Sequence, residues 1–378
     1  EMPEIQMAAV RFDPGALDAV AAALSADPAF ESVHKNYIYE VQEVPNDPRY
    51  SSQRHMPAIG LREAWDITTG DENMIIAICD TGVEPGHPDL AGKLVPGWNV
   101  NDDSGDSSDV HGHGTAVAGT AAAMSNNRVG VAGVCWDNPI MPIRVSDARG
   151  RAAGRKVAAG IIWAVNHGAR VINVSFAPLA SDAAVRNAAK YARNSGSLVF
   201  ISSGNDGKAF RARANDATIF VGAVEASGEL ASFSNTGPYI DLAAPGRDIL
   251  TTEIGGGYGK ISGTSFASPI VAGVAALVWS VNPGFRPATV EGILFDTARD
   301  RGPRGRDDGY GFGIVDAAAA VDAALDTVEE DDTRAPSVDV ISPDDREVVS
   351  GSIRASVGVF DAVGVADVVL SLDGVPFA

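Results

Sequence analysis

Residues 74–82 read Met74-Ile75-Ile76-Ala77-Ile78-Cys79-Asp80-Thr81-Gly82. Six apolar residues in a row, without polar alternation, suit a strand buried on both faces. Asp80 then puts a carboxylate at the carboxyl end of that strand, and Gly82 opens a turn. The pattern recurs downstream. Apolar runs at 140–145, 171–174, 198–201 and 219–224 alternate with alanine-rich helical stretches at 115–123, 157–167, 183–194 and 265–281. This alternation predicts an α/β fold, a three-layer α/β/α arrangement around a mostly parallel sheet. Ligands of such sheets bind outside the carboxyl ends of the strands. The turns after the strands are therefore where chemistry is sought.

At 378 residues the chain has room for two or three domains of about 100–200 residues each. With 45% hydrophobic and 21% charged residues it has ordinary globular composition, which excludes disorder and fibrous repeats. A net charge of −20 argues against a nucleic-acid partner, which would call for a basic stripe. The longest apolar stretch, 270–279, falls short of the roughly 20 residues a spanning helix needs, so no transmembrane segment is expected. Cys79 and Cys135 are too few for a disulfide framework and read as two buried, reduced thiols, with a bridge as the alternative.

Four segments divide the chain. Residues 1–43 read as a strand at 5–12, a helix capped by Asp13 and Pro14 that runs to about residue 24, and a strand at 33–41. Such a small β-α-β piece is marginal as an independent fold. Residues 44–325 hold the strand–helix alternation. Residues 326–336 are acidic and proline-terminated, which reads as a linker. Residues 337–378 alternate at 337–341, 353–359 and 365–372, with Asp373-Gly374 as a turn. They read as the start of an immunoglobulin-like β-sandwich, cut short with too few strands to stand alone.

Three segments carry the chemistry: Asp80-Thr81-Gly82 after a strand, Gly112-His113-Gly114-Thr115 before a helix, and Gly263-Thr264-Ser265-Phe266-Ala267-Ser268-Pro269, where a serine stands at a helix mouth with Pro269 in the first turn. Singly, an Asp or Ser at a helix entrance is usually a cap. Together they supply a hydroxyl, a base and a carboxylate. A hydroxyl is a poor nucleophile unless a base takes its proton and a third group holds that base.

With these motifs the chain resembles the subtilases, the subtilisin-like serine proteases, and in particular the thermitase-like branch. His87-Pro88-Asp89-Leu90, Val117-Ala118-Gly119, Ser203-Gly204-Asn205, Ser232-Phe233-Ser234-Asn235-Thr236-Gly237 and Ala244-Pro245-Gly246 add to the match, which spans about residues 44–325. The resemblance implies a serine endopeptidase working through an acyl-enzyme. Ser265 would be the nucleophile, His113 the base and Asp80 its orienting carboxylate, with Asn205 and the Ser265 N–H as oxyanion donors. Polypeptide substrate would lie as an added strand between Gly150-Arg151-Ala152 and Ser175-Phe176-Ala177, with Ser203 and Gly204 at the primary pocket. The chain departs from the family at Ala177-Pro178, where Gly-Gly is usual, and in the shortened stretch 207–218. Gly154 stands where a bulky residue often rims a distal pocket, which predicts an open pocket. Asp206 either favours a basic side chain or is a solvated loop charge.

The resemblance also implies a structural Ca2+ held by the Asp47 and Asp89 carboxylates, the Asn127 side chain and the carbonyls of Ser125, Val129 and Val131. That is a hard-oxygen set suited to calcium. Asp102, Asp103, Asp106 and Asp109 form a second acidic group, read as a solvated loop rather than another calcium site. His111 reads as a loop residue. Residues 1–43 resemble part of an inhibitory propeptide, the telling stretch being residues 27–36. This implies a secreted, monomeric enzyme made as a zymogen and autoprocessed between Tyr39 and Asn46. Phe266 stands where an oxidisable Met is common, which implies slow inactivation by peroxide. Two other readings are open: a catalytically silent subtilase fold used for binding or adhesion, and an esterase or acyl transferase on the same residues.

Overall fold

Strand β1 (Ile75–Asp80) sends Ile76 and Ile78 to one face of the sheet and Ala77 and Cys79 to the other. Both faces are covered, which is why its sequence shows no polar alternation. The structure, a computed structural model, describes residues 17–29, 44–177, 179–212, 217–328, 337–342, 356–360, 370–372 and 375–377. The chain divides into two compact units, Glu1–Gln42 and Glu43–Ala378. The first contains α1 (Leu17–Ser25). The strands expected at 5–12 and 33–41, most of the propeptide-like stretch, most of the linker and Pro178 lie outside the described residues.

In the second unit, α2 (His55–Ala58) and α3 (Leu61–Trp65) precede β1. There follow β2 (Trp98–Asn99), α4 (His113–Ala122), β3 (Ile140–Arg144), α5 (Gly154–Asn166), β4 (Ala169–Val174), α6 (Ala183–Asn194), β5 (Leu198–Ser202), β6 (Thr218–Val224) and β7 (Leu242–Pro245). A hairpin of β8 (Ile249–Glu253) and β9 (Gly257–Ile261) leads into α7 (Thr264–Val281), α8 (Pro287–Asp296) and α9 (Ala317–Asp326). The seven strands of the main sheet run β2-β3-β1-β4-β5-β6-β7, every pair parallel. β1 is flanked by β3 on one side and β4 on the other, so the strand order reverses at β1 and opens a crevice at its carboxyl end. Helices α5 and α6 cover one face; α3, α4, α7 and α9 cover the other. This is the three-layer α/β/α fold that the alternation predicts.

Among the described residues only α7 is long and apolar enough to cross a membrane, and 89% of it is buried inside the protein. It is the central core helix, packed on α4, α9 and strands β4–β7. Trp279 closes its far end, fully buried, with Nε1–H donating to Phe285 O at 2.8 Å. Cys79 and Cys135 are free, buried thiols. Burial raises both above the ordinary thiol value, Cys135 to about 12, so neither is a thiolate at neutral pH.

Elements that the apolar runs did not announce are β2, only two residues long, β7, which reads Leu-Ala-Ala-Pro, and the glycine-rich β8–β9 hairpin. Near the C-terminus, β10 (Ser337–Ser342) pairs antiparallel with β11 (Ser356–Phe360), and β12 (Leu370–Leu372) with β13 (Val375–Phe377).

Trp279→Ala is expected to cost about 3–5 kcal/mol of unfolding free energy in urea titration, because α7 cannot collapse into the space. A loss below about 1 kcal/mol would contradict the packing described.

Candidate active site

The carboxyl edge of the sheet and two helix N-termini meet at one place. Asp80 ends β1 and is fully buried. His113 begins α4. Its Nδ1–H donates to Asp80 Oδ1 at 2.7 Å, and the Thr81 N–H donates to the same oxygen at 2.7 Å. The approach depends on Gly114, where a Cβ would strike Gly82 O and Asp80 Cβ. Burial opposes a charge on His113, but the Asp80 carboxylate beside it and Asp109 further off outweigh burial and raise its pKa above the ordinary value of 6.5. With Nδ1 committed to Asp80, Nε2 is the nitrogen left to exchange a proton. The Phe266 ring, 5.7 Å from the imidazole between centroids, closes the apolar side.

Ser265 is the second residue of α7, 8% exposed, at the turn where helix N–H groups have no intrahelical partner. Its Oγ makes a long 3.4 Å contact to Ser175 O at the end of β4. Pro269 lies in the second turn of α7, not the first. There it removes the N–H that would otherwise bond Ser265 O. That carbonyl instead accepts from Ser175 Oγ at 2.9 Å. Ser175 Oγ accepts from Asn173 Nδ2 at 2.9 Å, and Ser268 Oγ donates to Asn173 Oδ1 at 2.7 Å, all within the core. The proline thus costs the helix little and lets a buried polar chain hold the Ser265 backbone.

Asn205 follows β5. Its Oδ1 accepts from the Thr264 N–H at 2.8 Å and the Thr264 hydroxyl at 2.9 Å. A backbone N–H can only donate, so the amide oxygen must face Thr264, and Nδ2 is the donor end of the amide. Asn235 holds the preceding turn: its N–H donates to Gly204 O at 2.9 Å and its Nδ2 to Ser203 O at 3.2 Å. Asp206 is exposed and accepts from Asn235 Nδ2 at 3.2 Å.

The two segments expected to flank substrate both lie at this edge. Ser175, Phe176 and Ala177 continue β4, and Gly150, Arg151 and Ala152 follow β3. Among the described residues no ladder pairs them with each other. The stretch before Ala152 is a turn closed on Asp147, which accepts from the Arg151 N–H at 3.0 Å and pairs with its exposed guanidinium. The His111 imidazole lies against Gly150, 3.1 Å from where a Cβ would stand. Beside Gly154 the space expected to be open is taken by the Asp182 carboxylate, which also caps α6 through the Val185 N–H at 3.0 Å.

Asp47 and Asp89, both buried, face the loop 125–131 that follows α4. Asp47 Oδ2 accepts from the Asn126 N–H at 2.8 Å; Asp89 accepts from Asn127 Nδ2 at 3.0 Å and from the Val131 N–H at 2.9 Å. Burial raises the pKa of Asp47, backbone N–H groups oppose this, and the Asp89 charge adds to the rise. Ser125 Oγ accepts from the Gly133 N–H at 3.0 Å, and Asn127 Oδ1 from the Val129 N–H at 2.7 Å. Two buried carboxylates of like charge suit a hard cation; the groups that meet them here are N–H donors, with Asn127 turning its Nδ2 to Asp89 and its Oδ1 to the Val129 N–H. Among the described residues no three His, Cys, Asp or Glu side chains converge as a metal site. Any cation here would rest on two carboxylates and neutral oxygens.

Asp109 corrects the expectation of a solvated acidic loop. It is half-buried and accepts from Thr81 Oγ1, Thr115 Oγ1 and three backbone N–H groups, which hold its carboxyl below the ordinary value against the effect of burial. Asp102, Asp103 and Asp106 are the exposed or half-exposed loop residues expected. The available signal for Asp109 was its place just before a helix start.

A family model described as the subtilase family matches residues 71–313, a span holding Asp80, Asp89, His113, Asn205 and Ser265. The chain belongs to the subtilase family. It is 41% identical over 269 residues to the thermophilic serine proteinase of Bacillus sp. (strain AK1), covering 70% of this chain and 67% of that one. It is 41% identical over 240 residues to thermitase of Thermoactinomyces vulgaris, covering 62% of this chain and 85% of that one. A solved protease from Pseudoalteromonas arctica PAMC 21717 superposes with a TM-score of 0.67 at 34% identity, over 75% of this chain and 100% of that one. This subtilase is thermitase-like and is a serine endopeptidase, a hydrolase.

Titration of His113 in the Ser265→Ala subtilase, followed by its imidazole resonances, is expected to give a midpoint above 6.5. A midpoint at or below 6.5 would show that burial outweighs the Asp80 charge.

Proposed function

We propose that this subtilase cleaves polypeptides through a triad of Ser265, His113 and Asp80 and a covalent acyl-enzyme. The observation that carries the reading is the 2.7 Å hydrogen bond from His113 Nδ1 to the buried Asp80 carboxylate. Ser265 Oγ attacks the scissile carbonyl while its proton passes to His113 Nε2. The imidazolium formed is stabilised by Asp80, which stays ionised. Negative charge gathers on the former carbonyl oxygen, where Asn205 Nδ2 and the Ser265 N–H donate. Such donors act mainly in the transition state, and losing one costs about 10²–10³ in rate in related sites. As the C–N bond breaks, His113 gives its proton to the leaving amine. Water then repeats the sequence on the ester and frees Ser265.

Substrate backbone pairs with residues 150–152 and 175–177, and Ser203 and Gly204 wall the primary side-chain pocket. Residues 1–43 act as an intramolecular inhibitor removed on maturation, 44–325 form the catalytic domain, 326–336 are a linker, and 337–378 belong to a β-sandwich module. The enzyme works outside the cell as a monomer. Asp47, Asp89, Asn127 and the carbonyls of Ser125, Val129 and Val131 would hold a calcium ion. Bound there, calcium would neutralise the two facing carboxylates. The same residues join the segment around Asp47 to the loop after α4, the helix that begins with His113.

Labelling with a fluorophosphonate probe tests this reading. We expect wild-type enzyme to be labelled, Ser265→Ala not, and labelling to fade when a calcium chelator is present. N-terminal sequencing of the labelled band is expected to read a start between residues 39 and 46. Equal labelling of Ser265→Ala would overturn the nucleophile, labelling indifferent to chelator the calcium role, and an active band beginning at Glu1 the maturation step.

A further inference from the structure

We propose that Asp109 is a positioning residue for the His113 base, clamping the turn on both sides of His113 and tying it to the strand end that carries Asp80. The inference rests on the triad reading above. Five hydrogen bonds converge on the Asp109 carboxylate. Oδ1 accepts from the His111 and Gly112 N–H groups, each at 2.9 Å, ahead of His113. Oδ2 accepts from the Thr115 N–H at 2.9 Å and its hydroxyl at 2.6 Å, behind it. Thr81 makes the bridge. Its hydroxyl donates to Asp109 Oδ1 at 2.8 Å and accepts from the Gly114 N–H at 2.8 Å, while its own N–H donates to Asp80 Oδ1. The N–H groups of Gly112, Gly114 and Thr115, around His113, therefore all end in one network with Asp80.

A carboxylate suits this arrangement. Both of its oxygens face backbone N–H groups, which can only donate, those of His111 and Gly112 at Oδ1 and that of Thr115 at Oδ2, and an ionised Asp is acceptor-only. Asparagine would turn an NH2 toward a donor. Gly112 needs the clamp most, because its φ of +101° is a conformation open chiefly to glycine and would otherwise relax freely. A misplacement of about 1 Å in a reacting group can cost about 10²-fold in rate. The charged groups acting on His113 are Asp80 from β1 and Asp109 from its own loop; α7 presents the Phe266 ring. Both acids favour the imidazolium, so losing the Asp109 charge lowers the His113 pKa and frees the base at lower pH.

The test is the pH profile of kcat and KM for the full chain on a peptide amide substrate. Asp109→Asn is expected to lower kcat about ten- to a hundredfold, keep KM within about twofold, and move the acid limb of kcat/KM to lower pH. Thr81→Val keeps the charge and cuts the bridge, so kcat falls while the acid limb stays. It also carries the test should Asp109→Asn fail to fold. Asp106→Asn, which removes an equal charge from the exposed loop, leaves rate and limb unchanged. Asp109→Asn with wild-type kcat and limb, or Thr81→Val with wild-type kcat, would overturn the positioning role. Failure of the triad reading looks different: His113→Ala would then retain wild-type activity, whatever Asp109→Asn does.

Discussion

The hydrogen bond from His113 to Asp80 is the constraint on which the rest of the site depends. Asp80 is fully buried, and its Oδ2 has no partner among the described residues. A carboxylate so placed is stable only if nearby donors and a cation answer it. Thr81 and His113 supply two donors to Oδ1, and a protonated His113 would supply the cation. On the proposed mechanism, the cost of burying Asp80 is tied to the proton that His113 would carry.

The candidate site residues stand at the ends of regular elements. Asp80 ends β1, Ser175 follows β4, Asn205 follows β5, and His113 and Ser265 begin α4 and α7. Pro269 shows how closely fold and chemistry are joined. A proline in the second turn of the core helix normally breaks it. Here the Ser265 carbonyl it leaves unbonded is taken by Ser175 Oγ, and the same exchange fixes the Ser265 backbone. Thr264 does likewise for Asn205, using its N–H and hydroxyl to turn the amide. Two side chains that perform no bond-making set the direction of those that would.

Much of this was legible in the residues. The uninterrupted apolar run before Asp80 gave the parallel strand, and four more runs gave β3 to β6, because strands buried on both faces are mainly apolar and admit a polar residue such as Asn173 only where it is hydrogen-bonded. The short motifs around Asp80, His113, Asn205 and Ser265 pointed to the site proposed. Strands β2 and β7 were hidden because one is two residues long and the other ends in proline. Asp109 was hidden because its acidic neighbours are true loop charges, and only the fold brings Thr81 and Thr115 to it. Pro269 was placed a turn too early: with the helix read from residue 265 or from Thr264 it stands fifth or sixth, past the first turn. Gly154 suggested space, but Asp182 comes from a different helix start and fills it.

The most direct test of the account is the Asp80→Asn enzyme assayed for kcat/KM on a peptide substrate, with folding checked by circular dichroism. The fold should persist and kcat/KM should fall by about 10⁴, the scale seen when the orienting carboxylate is lost in related triads. A folded Asp80→Asn enzyme within about tenfold of wild type would contradict it, because the pair at the centre of the site would then not govern the reaction.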